Sequence, residues 1–531
     1  MEFDNKIETN NNLLLKNFFI KYNIKNIAYG IDDVTCNTVF FAIHGLTHNG
    51  NDFISEALEK NVNLIFTDNK LKENPEQNVF FIADIKSALM RSLEILYPDI
   101  PSKLIAVTGT NGKTSIVSYV GQMLNYLEIS YICIGTLGIE SNLDLPLNLK
   151  QLHDGNTVPN SINFRKILYE AHKLGIQYII FEISSHAIDQ KRIGNILVNG
   201  LGFSSFSQDH LDYHKTIESY LNTKLSFIKS NLHSQAKVVI YNDNIYSKQI
   251  VDFCKKNDVK FITIGKNADI QISTSSNKHS FFQKITFTNQ KKNYEFETKI
   301  LGNFQAHNIL IASQLIENVV NIKIKDLFKI FSNLKTVNSR LENITEDFKK
   351  NNKFHLDFHI FIDYAHTPDA LRLTLLALKK FIKNDGKLIV IFGCGGEKDV
   401  SKRPIMGKMA SEIADLVVIT DDNPREENPE SIRKAIIETI QNKQYKEYDS
   451  RKNAIEKTIA TLKADDILLI AGKGNENFQI MKQGKKIFFN DKQIAISCLS
   501  KLNQDLDKIF HLSQDFSKNT TKSFLVNGVV N

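Results

Sequence analysis

The sequence contains few cysteines, no long apolar run and no large excess of charge of one sign. Its five cysteines are scattered along 531 residues without a CxxC pair. This odd number argues against a disulfide framework or a cysteine-rich zinc site and indicates a reducing compartment. No run of about 18 apolar residues is present, which excludes a transmembrane helix. The opening residues, MEFDNKIETNNN, lack the layout of a signal peptide, so we expect a cytoplasmic protein.

The formal net charge of +7 is small for this length, and the basic residues are spread along the chain. A nucleic-acid-binding protein would concentrate them in a basic stripe, so no nucleic-acid partner is expected. Hydrophobic residues make up 42% and charged residues 24% of the sequence, proportions typical of a globular protein.

A chain of 531 residues is too long for one core, and its patterns predict an α/β protein with three domains and a tail. Short apolar runs alternate with amphipathic stretches, as in parallel sheets covered by helices. Within residues 268–300, apolar and polar residues alternate instead. This pattern predicts antiparallel hairpins at the edge of the central sheet. We predict a small mixed α/β domain over 1–100, a phosphate-loop-type parallel-sheet domain over 101–337, a Rossmann-like domain over 338–500, and a tail over 501–531.

The motif AVTGTNGKTS at 106–115 lies between a predicted strand and a predicted helix. Glycines there let backbone N–H groups surround phosphate oxygens, with Lys113 as a point charge and Thr114 as a Mg²⁺ ligand. Val107 stands where the common pattern has glycine, so a plain tight turn is the alternative. Nucleotide binding is favoured, although kinase, GTPase, motor and ligase all remain open.

Polar residues follow the next two predicted strands. Glu182 ends one of them, and Asp209, His210, Asp212 and His214 follow the other. Because strand carboxyl ends meet at one crevice, Glu182 would lie beside the phosphate loop and could hold Mg²⁺. Lys224, on the helix that follows, either pairs with phosphate or is solvated. A structural role for each residue alone is the competing interpretation.

These three motifs, together with seven others in order along the chain, resemble the Mur ligase family of peptidoglycan synthesis, and within it the MurE branch. The matching segments are GTNGKT (109–114), EISSHAIDQKRI (182–193), DHLDYH (209–214) with Lys224, GNFQAHN (302–308), SRLE (339–342), DYAHTPDAL (363–371), GCGGEKD (393–399), KRPIMG (402–407), DNPR (422–425) and AGKGNE (471–476).

The resemblance implies an ATP-dependent, ADP-forming ligase of cell-wall synthesis that adds meso-2,6-diaminopimelate to UDP-N-acetylmuramoyl-L-alanyl-D-glutamate. ATP would phosphorylate the terminal carboxylate, and the amine would then displace phosphate from the acyl-phosphate. It implies Mg²⁺ as cofactor, small-molecule substrates only, and a monomer.

The resemblance also implies site residues. Catalysis would use Lys113, Lys224, His210 and Glu182, with Mg²⁺ on Thr114, Glu182, His210 and a carbamylated Lys224. ATP would contact Gly109, Thr110, Asn111, Gly112, Lys113, Thr114, Ser115, Asn308, Arg340 and Asp363, with His366 in support. The nucleotide-dipeptide would contact Asn156, Thr157, Ser184, Gln190 and Arg192.

The incoming amino acid would be held by Arg425, whose planar fork suits the distal carboxylate that diaminopimelate has and lysine lacks. The other implied contacts are Lys398, Asp422, Asn423, Gly472 and Glu476, the last suited to the distal ammonium. The sequence departs from the usual family pattern at Gly30-Ile31-Asp32, at Val158 and at Lys398.

Three alternatives stay open on the sequence. One is a related ligase with another substrate, such as L-lysine, a sister Mur enzyme's substrate or folylpolyglutamate. Another is a nucleotide-binding scaffold or switch without catalysis. The third is a nucleic-acid-stimulated ATPase, but the sequence lacks the basic stripe with aromatic residues that such an enzyme would use.

Overall fold

The apolar runs form three main sheets, which follow one another along the chain. The structure is a computed structural model that describes residues 12–45, 48–277, 281–351, 357–440 and 445–504. Across these residues, the longest helices lack the apolar length needed to cross a bilayer.

The first sheet has four parallel strands in the order β1-β2-β3-β4. Helices α1 and α3 cover one face and α2 the other, because every residue of β2 and β3 is buried and both faces need apolar partners. Its elements are α1 Asn12–Lys21, β1 Asn26–Ala28, β2 Thr38–Ala42, α2 Ile54–Glu59, β3 Leu64–Thr67, β4 Val79–Phe81 and α3 Ile85–Leu96.

The central sheet has ten strands in the order β14-β13-β12-β11-β10-β9-β5-β8-β6-β7. Its elements are β5 Lys103–Thr108, α4 Lys113–Tyr126, β6 Tyr131–Gly135, β7 Gly138–Ser141, α5 Leu147–Lys150, α6 Ser161–Lys173, β8 Tyr178–Glu182, α7 Ser185–Asp189, β9 Val198–Phe203, α8 Leu211–His214, α9 Ile217–Ser230, β10 Leu232–Tyr241, α10 Ser247–Lys256, β11 Lys260–Gly265, β12 Ile270–Asn277, β13 Phe282–Asn289, β14 Lys292–Thr298, α11 Asn303–Val319 and α12 Ile324–Phe331.

Strands β5, β8, β9 and β10 at the centre of this sheet are parallel, whereas β12, β13 and β14 pair antiparallel at one edge. The predicted edge hairpins are therefore confirmed. Helices α4, α11 and α12 pack on one face, and α6, α9 and α10 pack on the other. The parallel strands direct their carboxyl ends to a single edge.

The third sheet has six strands in the order β15-β16-β20-β17-β18-β19, all parallel except β15. Its elements are β15 Glu342–Asn343, α13 Ile344–Asn351, β16 His359–Asp363, α14 Pro368–Lys379, β17 Leu388–Phe392, α15 Lys402–Ile413, β18 Leu416–Ile419, α16 Pro429–Ile437, β19 Tyr445–Glu447, α17 Arg451–Ile459 and β20 Ile467–Ala471. A hairpin of β21 Phe478–Ile480 and β22 Lys486–Phe488 and helical residues 491–504 follow.

The predicted α/β class with three sheet-containing units is confirmed. The domain boundaries stay predictions. Of the predicted tail, residues 501–504 continue a helix and 505–531 lie outside the described residues.

Candidate functional site

The carboxyl ends of the central and third sheets face each other across a cavity of about 420 Å³. Its lining comes from the phosphate loop, from the ends of β8 and β9, from the start of α11 and from the loop after β16. Residues more than 200 positions apart therefore share one site.

The phosphate loop turns sharply between β5 and α4. Gly109 has φ +130° and Gly112 has φ +92°, backbone conformations that favour glycine. The Lys113 ammonium donates to the carbonyl oxygens of Gly109 at 3.0 Å and Thr110 at 2.8 Å. Burial lowers the pKa of Lys113, and the nearby Glu182 and Asp209 carboxylates oppose that fall. The predicted loop residues, 109–115, thus form one polar turn that carries a half-buried cation.

Glu182 and Lys224 are both buried beside this loop. The Glu182 carboxylate accepts from the Thr136 backbone N–H at 2.8 Å and its hydroxyl at 3.2 Å. Lys224, on α9, is 1% exposed and donates to the Gly109 carbonyl oxygen at 3.0 Å. Burial, and then repulsion from Lys113, lowers the pKa of Lys224 well below its usual value. A lysine in such surroundings favours the neutral, nucleophilic amine.

His210 lies on the loop after β9, in a left-handed conformation with φ +54°. Its backbone N–H donates to Asp209 at 2.9 Å, and His366 Nε2 from the third sheet lies 3.9 Å from the Asp209 carboxylate. Burial lowers the pKa of His210 to about 3, so its imidazole is neutral at pH 7. A neutral imidazole has a free lone pair for a metal ion.

The residues predicted to hold Mg²⁺ all lie at or beside the phosphate loop. Among the described residues, no three His, Cys, Asp or Glu side chains cluster closely enough to hold a metal ion. The predicted Mg²⁺ ligands do not form such a cluster, because two of them are the Thr114 hydroxyl and a modified lysine. A buried carboxylate, a hydroxyl and a carbamate would supply the oxygen donors that Mg²⁺ prefers, so the residues fit this ion.

Residues of the third sheet complete the cavity. The Arg340 guanidinium donates to the Thr114 hydroxyl at 3.0 Å and lies over the Tyr364 ring at 4.7 Å. The Asp363 carboxylate accepts from the backbone N–H groups of Leu341 at 2.6 Å and Ala365 at 2.7 Å. Burial raises the pKa of Asp363 to about 6, although Arg340 and both N–H groups oppose the rise.

The remaining predicted ATP and dipeptide residues gather at the same cavity, with one exception. Asn308 approaches the Gly112 backbone, and Asn156, Thr157, Ser184 and Arg192 also line the cavity. Gln190 is not part of the lining, but its side-chain oxygen accepts from Arg192 Nε at 2.9 Å. The structure therefore brings these residues together, while their ligand roles stay predictions.

Known proteins share these features. Residues 107–316 match the Mur ligase middle domain, and residues 347–474 match the Mur ligase glutamate ligase domain. A UDP-N-acetylmuramoyl-L-alanyl-D-glutamate--2,6-diaminopimelate ligase of Rickettsia bellii is 42% identical over 482 residues, covering 91% of this chain and 97% of the relative. One of Clostridium acetobutylicum is 33% identical over 487 residues, covering 90% and 95%.

The chain belongs to the Mur ligase family.

Solved structures agree with this membership. A UDP-N-acetylmuramoyl-L-alanyl-D-glutamate--2,6-diaminopimelate ligase superimposes with a TM-score of 0.61 at 26% identity, covering 90% of this chain and 95% of that one. The MurF ligase of Thermotoga maritima, solved with ADP, superimposes with a TM-score of 0.60 and covers 92% and 99%. At 16% identity the second shows the shared fold alone.

In this Mur ligase the predicted amino-acid contacts form a second cluster, at the carboxyl ends of β18 and β20. Asn423 Nδ2 donates to Glu476 at 2.9 Å, and Arg425 Nη1 donates to the Gly396 carbonyl oxygen at 2.7 Å. A Cβ built on Gly472 would lie 3.0 Å from the Asp422 carboxylate. Lys398 points elsewhere, with its ammonium 4.0 Å from Asp212 of the central sheet.

Sequence reasoning missed Lys473, which is fully buried at this cluster. Its ammonium donates to Asn423 at 3.0 Å, Glu476 at 2.8 Å and the Phe478 carbonyl oxygen at 2.9 Å. A lysine inside a polar motif is usually solvated, so only its position between glycines in AGKGNE could have indicated burial.

Sequence reasoning also missed a pair on the Asn308 side of the cavity. His307 Nε2 lies 3.1 Å from the Asp243 carboxylate, and both residues line the cavity. No sequence pattern links these two positions, because Asp243 follows β10 and His307 lies on α11.

Proposed function

We propose that this chain is the ligase that joins meso-2,6-diaminopimelate to UDP-N-acetylmuramoyl-L-alanyl-D-glutamate, with hydrolysis of ATP to ADP and phosphate. The observation that carries the proposal is the cavity in which the phosphate loop and Glu182 meet Arg340 and Asp363, with the Lys224 ammonium bound to the Gly109 carbonyl oxygen of that loop. The relatives' names support the choice of substrates. We expect a cytoplasmic monomer with small-molecule substrates and no nucleic-acid partner.

The first step would transfer the γ-phosphoryl group of ATP to the substrate's terminal carboxylate. The phosphate loop, with Lys113, would hold the phosphates, and Arg340 would approach them from the other side of the cavity. Thr114, Glu182, His210 and a carbamylated Lys224 would hold Mg²⁺. The ion, when bound, would offset the charge that accumulates between two anionic reactants.

The second step would bring the amino acid's amine to the acyl-phosphate carbonyl carbon. Arg425 would pair with the distal carboxylate and Glu476 with the distal ammonium, while Asp422, Asn423 and Gly472 complete the contacts. Asn156, Thr157, Ser184, Gln190 and Arg192 would hold the nucleotide-dipeptide. Contacts such as Arg340 to Thr114 close the site and keep water from the acyl-phosphate.

Carbamylation of Lys224 is supported by its burial and by the lowered pKa of its amine, since a neutral amine can add CO₂. A carbamate would replace a cation that repels Mg²⁺ by an oxygen ligand. Protein equilibrated with ¹³C-bicarbonate should show one carbamate ¹³C signal that Lys224→Ala lacks. An unchanged spectrum in the variant would contradict the modification.

The reaction itself is tested by product identification. Protein incubated with ATP, Mg²⁺, the nucleotide-dipeptide and meso-diaminopimelate should yield a product whose mass equals that of both substrates less one water. ADP should form in equal amount. ADP formation without a coupled product would contradict a ligase.

A further inference from the structure

Lys402 is a buried cation at the first position of α15, in the KRPIMG motif. Its side chain is only 7% exposed. Within the part of the chain that the structure describes, the Lys402 ammonium has no hydrogen-bond partner and no ion pair within 4.0 Å. Its neighbour Arg403 differs, because its guanidinium donates to both Glu427 oxygens at 2.9 Å.

This position is unfavourable for an unpaired ammonium. Burying a charge without a partner costs free energy, and the start of a helix is the positive end of its dipole. Within the described part of the chain, the Asp209 carboxylate offsets these costs only in part: the Lys402 ammonium lowers the pKa of Asp209, but no ion pair joins the two within 4.0 Å. The charge would be balanced if an anion entered the site together with the substrates.

The surroundings of Lys402 indicate where that anion lies. The preceding residue, Ser401, accepts a hydrogen bond from Gln208 of the central sheet at 3.0 Å. Burial, and then the Lys402 ammonium, lowers the pKa of His366, which lines the cavity. Burial raises the pKa of Cys394 to about 12, and Lys402 opposes that rise. The Lys402 charge therefore acts on Asp209 and His366, which line the cavity, and on Cys394, in the loop that follows β17.

We propose that Lys402 is a further catalytic residue, which binds a phosphoryl oxygen of the acyl-phosphate and stabilises the phosphate as it leaves. The inference rests on the proposed function. The amine nitrogen forms the new bond to carbon, and the bond from carbon to the phosphate oxygen breaks with its electron pair on that oxygen. The nitrogen's proton ends on the released hydrogen phosphate. A fixed cation beside the leaving group stabilises the charge that develops there.

The test compares Lys402→Met, Lys402→Arg and Lys408→Met with the wild-type protein. Lys408 lies on the same helix with its side chain 56% exposed, which makes it a matched control. We expect Lys402→Met to lower kcat about 100-fold or more, as loss of one charge-stabilising donor does, with KM for ATP and diaminopimelate within about threefold. Lys402→Arg should recover at least about tenfold, and Lys408→Met should match the wild type.

Thermal unfolding separates this role from a structural one. Removing a buried unpaired charge should leave the unfolding midpoint of Lys402→Met unchanged or higher. A midpoint lower by several degrees, or a kcat within about threefold of wild type, would overturn the inference. A wild-type protein that makes no product in the parallel assay would instead contradict the proposed function, and this inference with it.

Discussion

Three lysines at the two clusters have different electrostatic partners in this molecule. Lys113 donates to loop carbonyl groups and faces Glu182, whereas Lys224 lies beside another ammonium. Lys473 forms an ion pair with Glu476 and holds Asn423. The partners determine the chemistry, because an opposite charge favours the ammonium and a like charge favours the neutral amine. One residue type can therefore bind phosphate, accept CO₂ or orient other side chains.

Replacement of Lys473 tests the orienting role. Lys473→Met leaves the buried Asn423 amide oxygen and the half-buried Glu476 carboxylate without their shared donor, which costs about 1–3 kcal/mol. We expect KM for diaminopimelate to rise at least about tenfold, with KM for ATP unchanged. Lys486→Met, on the exposed strand β22, is the control. An equal rise in both KM values would contradict a specific role in the amino-acid cluster.

Arg425→Ala tests recognition of the distal carboxylate. Loss of a charge-assisted contact should raise KM for diaminopimelate about tenfold to 100-fold, while ATP binding stays unchanged. L-lysine, which lacks that carboxylate, serves as the internal control and should be used no worse than by the wild type. A parallel loss for both amino acids would show that Arg425 acts on the shape of the loop.

At the scale of elements, the sequence was informative where buried strands are nearly continuous apolar runs. Strands β5, β8, β17 and β20 lie at the predicted runs, and the phosphate loop follows β5 as expected. Strand β9 ends at Phe203. The residues after Phe203 leave the sheet because they bond to the phosphate loop, as in the bond from Thr110 N–H to the Ser205 carbonyl oxygen at 2.7 Å.

Strand order could not be predicted in this way. Strand β9 lies between β5 and β10, although β8 precedes it in the chain, because crossover helices decide which strands become neighbours. The candidate site shows the same limit. Motif residues indicated the two clusters, whereas partners such as Thr136 and Lys473 depend on long-range packing that no local pattern records.

A pH effect is predicted for strand β16, at His359. Burial, and then the charges of Lys349 and Lys383, lowers the pKa of His359 from 6.5 to about 4. Protonation thus favours the unfolded chain, so stability is complete above pH 6.5 and is lost as pH falls toward 4. At pH 5 the loss is about 2 kcal/mol. The fall in unfolding midpoint from pH 7.5 to pH 5 should be smaller in His359→Gln; an equal fall would contradict this origin.

At the scale of the whole molecule, the site depends on contact between the second and third sheets. Gln208 Nε2, on the loop after β9, donates to Asp399 and to Ser401 at 3.0 Å each. Asn111 Nδ2 donates to Thr367 at 3.4 Å, and Arg340 reaches Thr114. The loop before α15, which carries Lys398, is thereby attached to the segment with Asp209 and His210.

Gln208→Ala should weaken this attachment without touching either substrate cluster. Because a hydrogen bond contributes about 1 kcal/mol, we expect KM for diaminopimelate to rise about fivefold. Phosphate release without amino acid should rise as well, since a looser site admits water to the acyl-phosphate. Ser401→Ala removes one of the two acceptors and should have a smaller effect. Unchanged values in Gln208→Ala would contradict the coupling.

The proposed enzyme is a ligase selective for an amino acid with a distal carboxylate. The most direct measurement is phosphate release from ATP with UDP-N-acetylmuramoyl-L-alanyl-D-glutamate, compared with meso-diaminopimelate, with L-lysine and without amino acid. We predict release that requires diaminopimelate and is weak with lysine. Equal or greater release with lysine would contradict the role of Arg425, and no release under any condition would contradict the ligase itself.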